Sequence, residues 1–233
     1  MSENALLNMK KNNLMKALNR EGADYVPTML AASCAMVSWA GKKVTDIIDD
    51  PEAYVKAMTD VFQVMWADGN TFTGTLFTPR IASVLEPLQN KFGPDGVTPE
   101  HVQMPMMERD EYDAFIQDPN RFVSEVLLPR KYPRFYEDRA YAKEALKVVA
   151  EDKFYSLGVL MGKQSQVLQE KYGITDIANF GEVFSNPVDT LFDYCRGFKG
   201  TLTDLRRQPD KVKAACDKLW EVFNLPKLDR PVA

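Results

Sequence analysis

Residues 25–78 limit the fold more than any other part of this chain, because they read as strand, helix, strand. Residues 25–31 (YVPTMLA) form a short apolar run of the length expected for a buried strand. Asp50 then offers an N-cap, Pro51 fits the first helical position, and Tyr54, Ala57, Met58, Val61, Phe62 and Met65 make one apolar stripe at helical spacing. Asp68-Gly69-Asn70 breaks that stripe, and residues 71–78 alternate like a second strand. Two strands joined by a helix are the repeating unit of a parallel α/β fold.

The remainder reads as mostly helical. Residues 4–20 carry Leu7, Leu14 and Leu18 on one helical face and stop at Gly22. Residues 81–105, with Pro87, Gly93, Pro94, Gly96 and Pro99, read as a loop-rich excursion. Residues 115–128 read as helix with a restart at Asp118-Pro119, and residues 129–138 (PRKYPRFYED) as too proline-rich and charged for helix interior. A long helix is expected over 140–172, with Leu146, Phe154, Leu160, Val167 and Leu168 at helical spacing and Gly173 as its cap. Two more are expected over 187–197 and 209–223. No linker or internal repeat interrupts the pattern, so residues 1–233 read as a single domain.

Composition excludes several classes of function. A net charge of -4 gives no cationic field for nucleic acid or an anionic membrane. The charge-free stretch 25–41 is short for a span and contains Pro27, Ser33, Cys34 and Ser38, so it reads as core. The N-terminus has no signal-peptide pattern. Three cysteines with no CxxC pair fit a reduced, cytoplasmic protein.

Three stretches carry a family resemblance: 18–30 (LNREGADYVPTML), 49–69 (DDPEAYVKAMTDVFQVMWADG) and 186–209 (NPVDTLFDYCRGFKGTLTDLRRQP). Together they resemble the uroporphyrinogen decarboxylase superfamily, which includes corrinoid-linked methyltransferases. The resemblance implies an α/β fold, here an incomplete TIM-type (β/α) barrel that is helix-rich with few parallel strands. It also implies that the chain is the N-terminal portion, lacking the C-terminal half of the barrel. Decarboxylases of the family bind the tetrapyrrole carboxylates with two arginines after the first strand; those positions fall on Ala32 and Met36 here. The family's aspartate at the end of the second strand falls near Thr75, and no arginine lies anywhere in 25–77. A polycarboxylate needs cationic, fork-shaped donors, so this neutral mouth disfavours porphyrinogen decarboxylation.

The resemblance therefore points to the methyltransferase branch, moving a methyl group between a small methylated substrate and a corrinoid protein. Ser33, Trp39, Asp68 and Thr75 are then the pocket-lining residues that orient substrate. Decarboxylation remains the alternative, as does a non-catalytic chain that pairs with a partner or with itself through an unfinished sheet. Zinc, like the corrinoid, belongs to the full-length family member, and none is expected on this chain alone. The lone His101 has no cysteine near it in sequence and reads as a loop residue, and Cys34 as a structural thiol. Arg130, Lys131, Arg134 and Arg139 read as a salt-bridged loop, Arg206-Arg207 as a cap or contact, and Asp189 and Asp204 as turn or cap acids.

Overall fold

A computed structural model of the chain describes residues 3–31, 34–71, 79–102, 104–176 and 184–228. In chain order the regular elements begin with α1 (Glu3–Leu18), β1 (Met29–Ala31), α2 (Cys34–Trp39), α3 (Pro51–Asp60), β2 (Gly69–Thr71) and α4 (Pro79–Leu85). They continue with β3 (Asn90–Phe92), β4 (Pro99–His101), α5 (Tyr112–Gln117), α6 (Pro119–Phe122), α7 (Leu128–Lys131), α8 (Pro133–Glu137) and α9 (Arg139–Asp152). The chain then forms α10 (Met161–Tyr172), β5 (Thr175–Asp176), α11 (Pro187–Thr190), α12 (Phe198–Arg207), α13 (Pro209–Leu219) and α14 (Leu225–Leu228). The protein is helix-rich with few strands, and two compact units can be distinguished.

The first unit comprises Met1–Leu85, Phe92–Glu100 and Lys143–Phe180. Its sheet has the order β1-β2-β5, all parallel, with Met29 opposite Gly69 and Gly69 opposite Thr175. α3 begins as the sequence dictates: the Asp50 carboxylate accepts from the Ala53 N–H at 2.9 Å and Pro51 opens the helix. Tyr54, Ala57, Met58, Val61 and Phe62 are buried, the first three packing with Val37, Val44 and Ile47. Val61 and Phe62 pack with Ala67, Leu168 and Ile174 instead. Met65, expected on the same stripe, is exposed, because α3 ends at Asp60 and a 3₁₀ turn over Val61–Gln63 alters the helical phase.

The expected helix over 140–172 is continuous from α9 to α10, but a π-helical stretch, Lys153–Leu160, lies within it. Wider turns rotate the helical face from there on, with Phe154 and Val167 exposed while Leu160 and Leu168 are buried; Leu146, ahead of the stretch, is exposed as well. Gly173 adopts φ 61° as its cap, and Ile174 N–H reaches back to Leu168 O at 2.9 Å. Of the second expected strand only Gly69–Thr71 falls among the described residues; 72–78 lie outside them.

The second unit comprises Glu86–Lys91, His101–Ala142 and Gly181–Ala233. Its core holds Met106, Met107, Tyr112, Phe115, Phe122, Leu127, Leu191, Cys195, Val212, Ala215 and Leu219. Residues 129–131 and 133–137 are helical, contrary to the expectation at Pro129, while the chain breaks at Tyr132 ahead of Pro133 as the proline requires. Pro133 opens α8. Pro129 is tolerated because a π turn, Val123–Leu127, comes directly before it and the Leu128 N–H bonds Val123 O. The same arrangement recurs at Pro226, where the π turn Trp220–Asn224 precedes and Leu225 N–H bonds Trp220 O. A one-residue bulge ahead of each ring lets the helix run on past a residue that has no N–H to give.

Candidate functional site

Of the four pocket residues expected from sequence, Ser33 and Thr75 lie outside the described residues. Trp39 closes α2, which follows the C-terminal end of β1, and its side chain is 49% exposed. Asp68 immediately precedes β2 and is fully buried. Because β1 and β2 run parallel with Leu30 opposite Asn70, Asp68 lies at the N-terminal side of the sheet and Trp39 beyond its C-terminal side. The structure does not bring these two together.

On the Trp39 side, α2 presents Cys34, Met36, Val37, Ser38 and Trp39 and carries no charge. Cys34 Sγ lies 3.9 Å from the Tyr54 hydroxyl. Burial pushes the Cys34 thiol up, so it is held as a thiol rather than a nucleophilic thiolate. Burial raises the Tyr54 phenol as well.

On the opposite side Asp68 is the buried hub of a polar cluster. Its Oδ1 accepts from the Tyr25 hydroxyl, and its Oδ2 accepts from the Thr28 N–H at 2.8 Å and the Thr28 hydroxyl at 3.1 Å. Asn13 of α1 clamps the entering chain, accepting from Asp24 N–H at 2.7 Å and donating to Tyr25 O at 3.0 Å. Lys10, one turn earlier, donates to Tyr172 O at 3.0 Å and lies 4.0 Å from the Trp66 ring centroid. Burial lowers its pKa, and the Asp68 charge partly offsets that. Burial, reinforced by the bond to Asp68, pushes the Tyr25 phenol up to about 12. Both carboxylate oxygens are therefore occupied by protein donors, and the cluster anchors the first strand crossing rather than moving a proton.

Beside this cluster is an open cleft of about 420 Å³ lined by Ala17, Arg20, Gly22, Ala23, Tyr25, Val26 and Pro27. Sequence reasoning identified Asp68 but not Lys10, Asn13, Tyr25 or Thr28. The available signal was polar residues at i and i+3 on α1, beside Leu14 on its buried face.

The second unit contains the Arg196-Gly197 and Asp204 pattern of the third stretch. Gly197 adopts φ 74°, which turns the chain between Cys195 and α12. Arg196 Nε donates to Asp204 Oδ2 at 2.7 Å, and its Nη1 donates to Met107 O at 3.1 Å. Asp204 is fully buried and the Arg196 side chain 11% exposed. Arg109 Nε approaches Asp204 Oδ1 at 3.7 Å, an ion pair too long for a hydrogen bond. Burial, with the Asp204 charge adding to it, raises the Tyr112 phenol. The Met106 and Met107 N–H groups both donate to Cys195 O, at 2.7 and 2.9 Å. Arg130 donates to Met106 O and grips Glu111 with two bonds of 2.7 and 2.8 Å, holding the Glu111 carboxyl below its usual range. This pattern is an interlock of backbone and buried charge.

Two further cations of the second unit make structural contacts. Arg134 pairs with Glu86 at 2.7 Å, and Lys131, half-buried, lies 5.4 Å from the Tyr194 ring. His101 is exposed on β4. Among the described residues no group of three or more His, Cys, Asp or Glu side chains converges to hold a metal ion. Among them, too, no helix is long and apolar enough to cross a membrane. Compared with protein-family models, with curated proteins and with solved structures, the chain matches none.

Proposed function

We propose that this chain is a uroporphyrinogen-decarboxylase-like protein of the cytoplasm that serves a methyltransferase. The reaction moves a methyl group between a small methylated substrate and a corrinoid protein, on a scaffold of the TIM-type (β/α) barrel class. The observation that carries this reading is the uncharged helix α2 placed directly after β1, where a polycarboxylate would need guanidinium groups. Loops and helix starts at the C-terminal ends of parallel strands are where barrel enzymes build their sites, so Cys34, Met36 and Trp39 shape the substrate's surroundings there. Asp68, on the opposite side of the sheet, supports the scaffold through its bonds to Tyr25 and Thr28. The parallel order β1-β2-β5 and the residue pattern of the three stretches support the barrel class.

The test incubates the protein with reduced cobalamin and a panel of methylated amines, thiols and aryl ethers, following methylcobalamin by absorbance. Protein-dependent methylation that falls at least about tenfold in Trp39→Ala supports the reading, since a positioning aromatic contributes over 1 kcal/mol. Lack of protein-dependent conversion across the panel rejects it.

A further inference from the structure

Helix α12 is built with its polarity reversed. Thr201 and Asp204 face the interior and are fully buried, whereas Phe198, Leu202 and Leu205 are 54%, 43% and 40% exposed. The reason is the Arg196–Asp204 pair. Asp204 must reach Arg196, which itself holds Met107 O at 3.1 Å, and Gln208 donates to Arg109 O at 3.3 Å. These bonds fix the rotation of α12 about its axis, and its leucines are turned outward as a result. At about 100° per residue, Leu205, Phe198 and Leu202 fall within an arc of about 60°. Arg206 and Lys199, both exposed, occupy the next arc of about 60° on one flank. Phe198 also packs on Phe192, ring centroids 5.2 Å apart, and the exposed Tyr194 lies just before the helix.

We propose that α12 is a docking surface for an amphipathic helix of another protein, one whose apolar stripe is flanked by carboxylates. The charge pattern selects this occupant. In an antiparallel pairing with a second copy, each flank faces the same flank of its partner, so Lys199 and Arg206 would oppose themselves. In a parallel pairing they would face the opposite flank, where Thr201 is buried and Gln208 carries no charge, so no counter-charge meets them. An anionic membrane is disfavoured because only a few cations border the stripe on a chain of net charge -4. A helix with glutamates on its flank satisfies both arcs, burying leucine against leucine and pairing each cation. This surface stands independently of the methyl-transfer reading.

The experiment titrates the protein into a fluorescently labelled synthetic helix of about eighteen residues, long enough to be helical. The peptide carries leucines at i, i+4 and i+7 and glutamates on one flank. Wild-type protein is expected to give a saturable rise in anisotropy that weakens with salt. Leu202→Glu and Leu205→Glu are each expected to weaken binding at least about tenfold. The double variant Lys199→Glu/Arg206→Glu is expected to release the glutamate peptide and bind a lysine-flanked version instead. Hydrogen exchange of 198–207 in the wild-type protein, with and without peptide, reads the same contact should a variant fail to fold. Lack of saturable binding, or binding indifferent to both leucine changes, overturns the proposal. So does a dimer abolished by Leu202→Glu in light scattering, or equally tight α12-dependent retention on anionic vesicles.

Discussion

Replacing Asp204 by asparagine tests the central interaction of the second unit. Asp204 is fully buried, and Arg196 is 11% exposed with its Nε on Asp204 Oδ2 at 2.7 Å. Asparagine keeps the shape and one acceptor, so the change isolates charge. Unit charges about 4 Å apart interact by about 4 kcal/mol at an effective dielectric near 20. Breaking one side of a buried pair costs about 3–5 kcal/mol, because the remaining ion stays desolvated without its counter-charge. Because the asparagine still accepts a neutral hydrogen bond, the lower end applies, and Asp204→Asn should lose about 3 kcal/mol.

The double variant Arg196→Met/Asp204→Leu removes both charges and fills similar volume, which elsewhere is neutral or stabilising. Here it also strips Met107 O of a donor, at about 1–3 kcal/mol. It should therefore be no worse than Asp204→Asn alone, with a coupling energy of at least about 2 kcal/mol in the cycle. Urea denaturation followed by circular dichroism, together with hydrogen exchange of peptides covering 104–117 and 196–208, measures both quantities. A loss below about 1 kcal/mol for Asp204→Asn, or additive single variants, would falsify the claim that this pair locks the interlock.

Three further outcomes follow from the first unit. Arg20 adopts φ 60° at the end of α1, where its N–H bonds Ala17 O and the Glu21 N–H bonds Lys16 O; Arg20→Gly should stabilise by about 1 kcal/mol in chemical denaturation, since glycine takes that conformation without strain. Gly173→Ala should destabilise by at least about 1–3 kcal/mol, because its φ is 61° and the new Cβ would meet Leu6 Cγ at 2.8 Å and Leu7 N at 3.0 Å; an unchanged midpoint would contradict that packing. Tyr25, raised from 10.0 to about 12, keeps its proton when the unfolded chain has lost it, so its contribution is complete below pH 10 and is lost as pH rises to about 12. Other tyrosines are raised as well, so the difference between wild type and Tyr25→Phe is the measurement, and it should shrink across that window.

The strand-helix-strand opening was legible because its signals are local: Asp50 caps Ala53, Pro51 starts the turn, and the stripe ends at Asp68-Gly69. Gly173 was legible for the same reason. The helix through Pro129 was not legible, because proline usually stops a helix and nothing in LLPRK states that a π turn will widen the backbone ahead of it, whereas the break before Pro133 was. The Asp68 cluster was half legible. The acid stands out, but Lys10, Asn13, Tyr25 and Thr28 come from α1 and the entry to β1, far away in sequence. Trp39 and Asp68 were grouped as one pocket because each flanks a strand; only the parallel register assigns them to opposite sides.

Helix α12 shows why sequence periodicity alone could not orient the second unit. An apolar stripe at i, i+4 and i+7 is ordinarily the buried side of a helix, and by that rule Phe198, Leu202 and Leu205 would be core. The rule yields here to a stronger constraint. Asp204 and Arg196 sit close enough in sequence to pair across the Gly197 turn, and exposing either one to accommodate the leucines would leave its partner buried and alone. Leaving a buried ion unpaired costs about 3–5 kcal/mol and would also strip Met107 O of its donor, whereas Phe198, Leu202 and Leu205, already about half covered, would each gain only about half of the roughly 1.5–3 kcal/mol of full burial. The helix therefore turns its charge inward, and the leucines are left at the surface for whatever can cover them. Removing the ion pair removes that preference, so Arg196→Met/Asp204→Leu should raise hydrogen-exchange mobility across α12 even where global stability is unchanged.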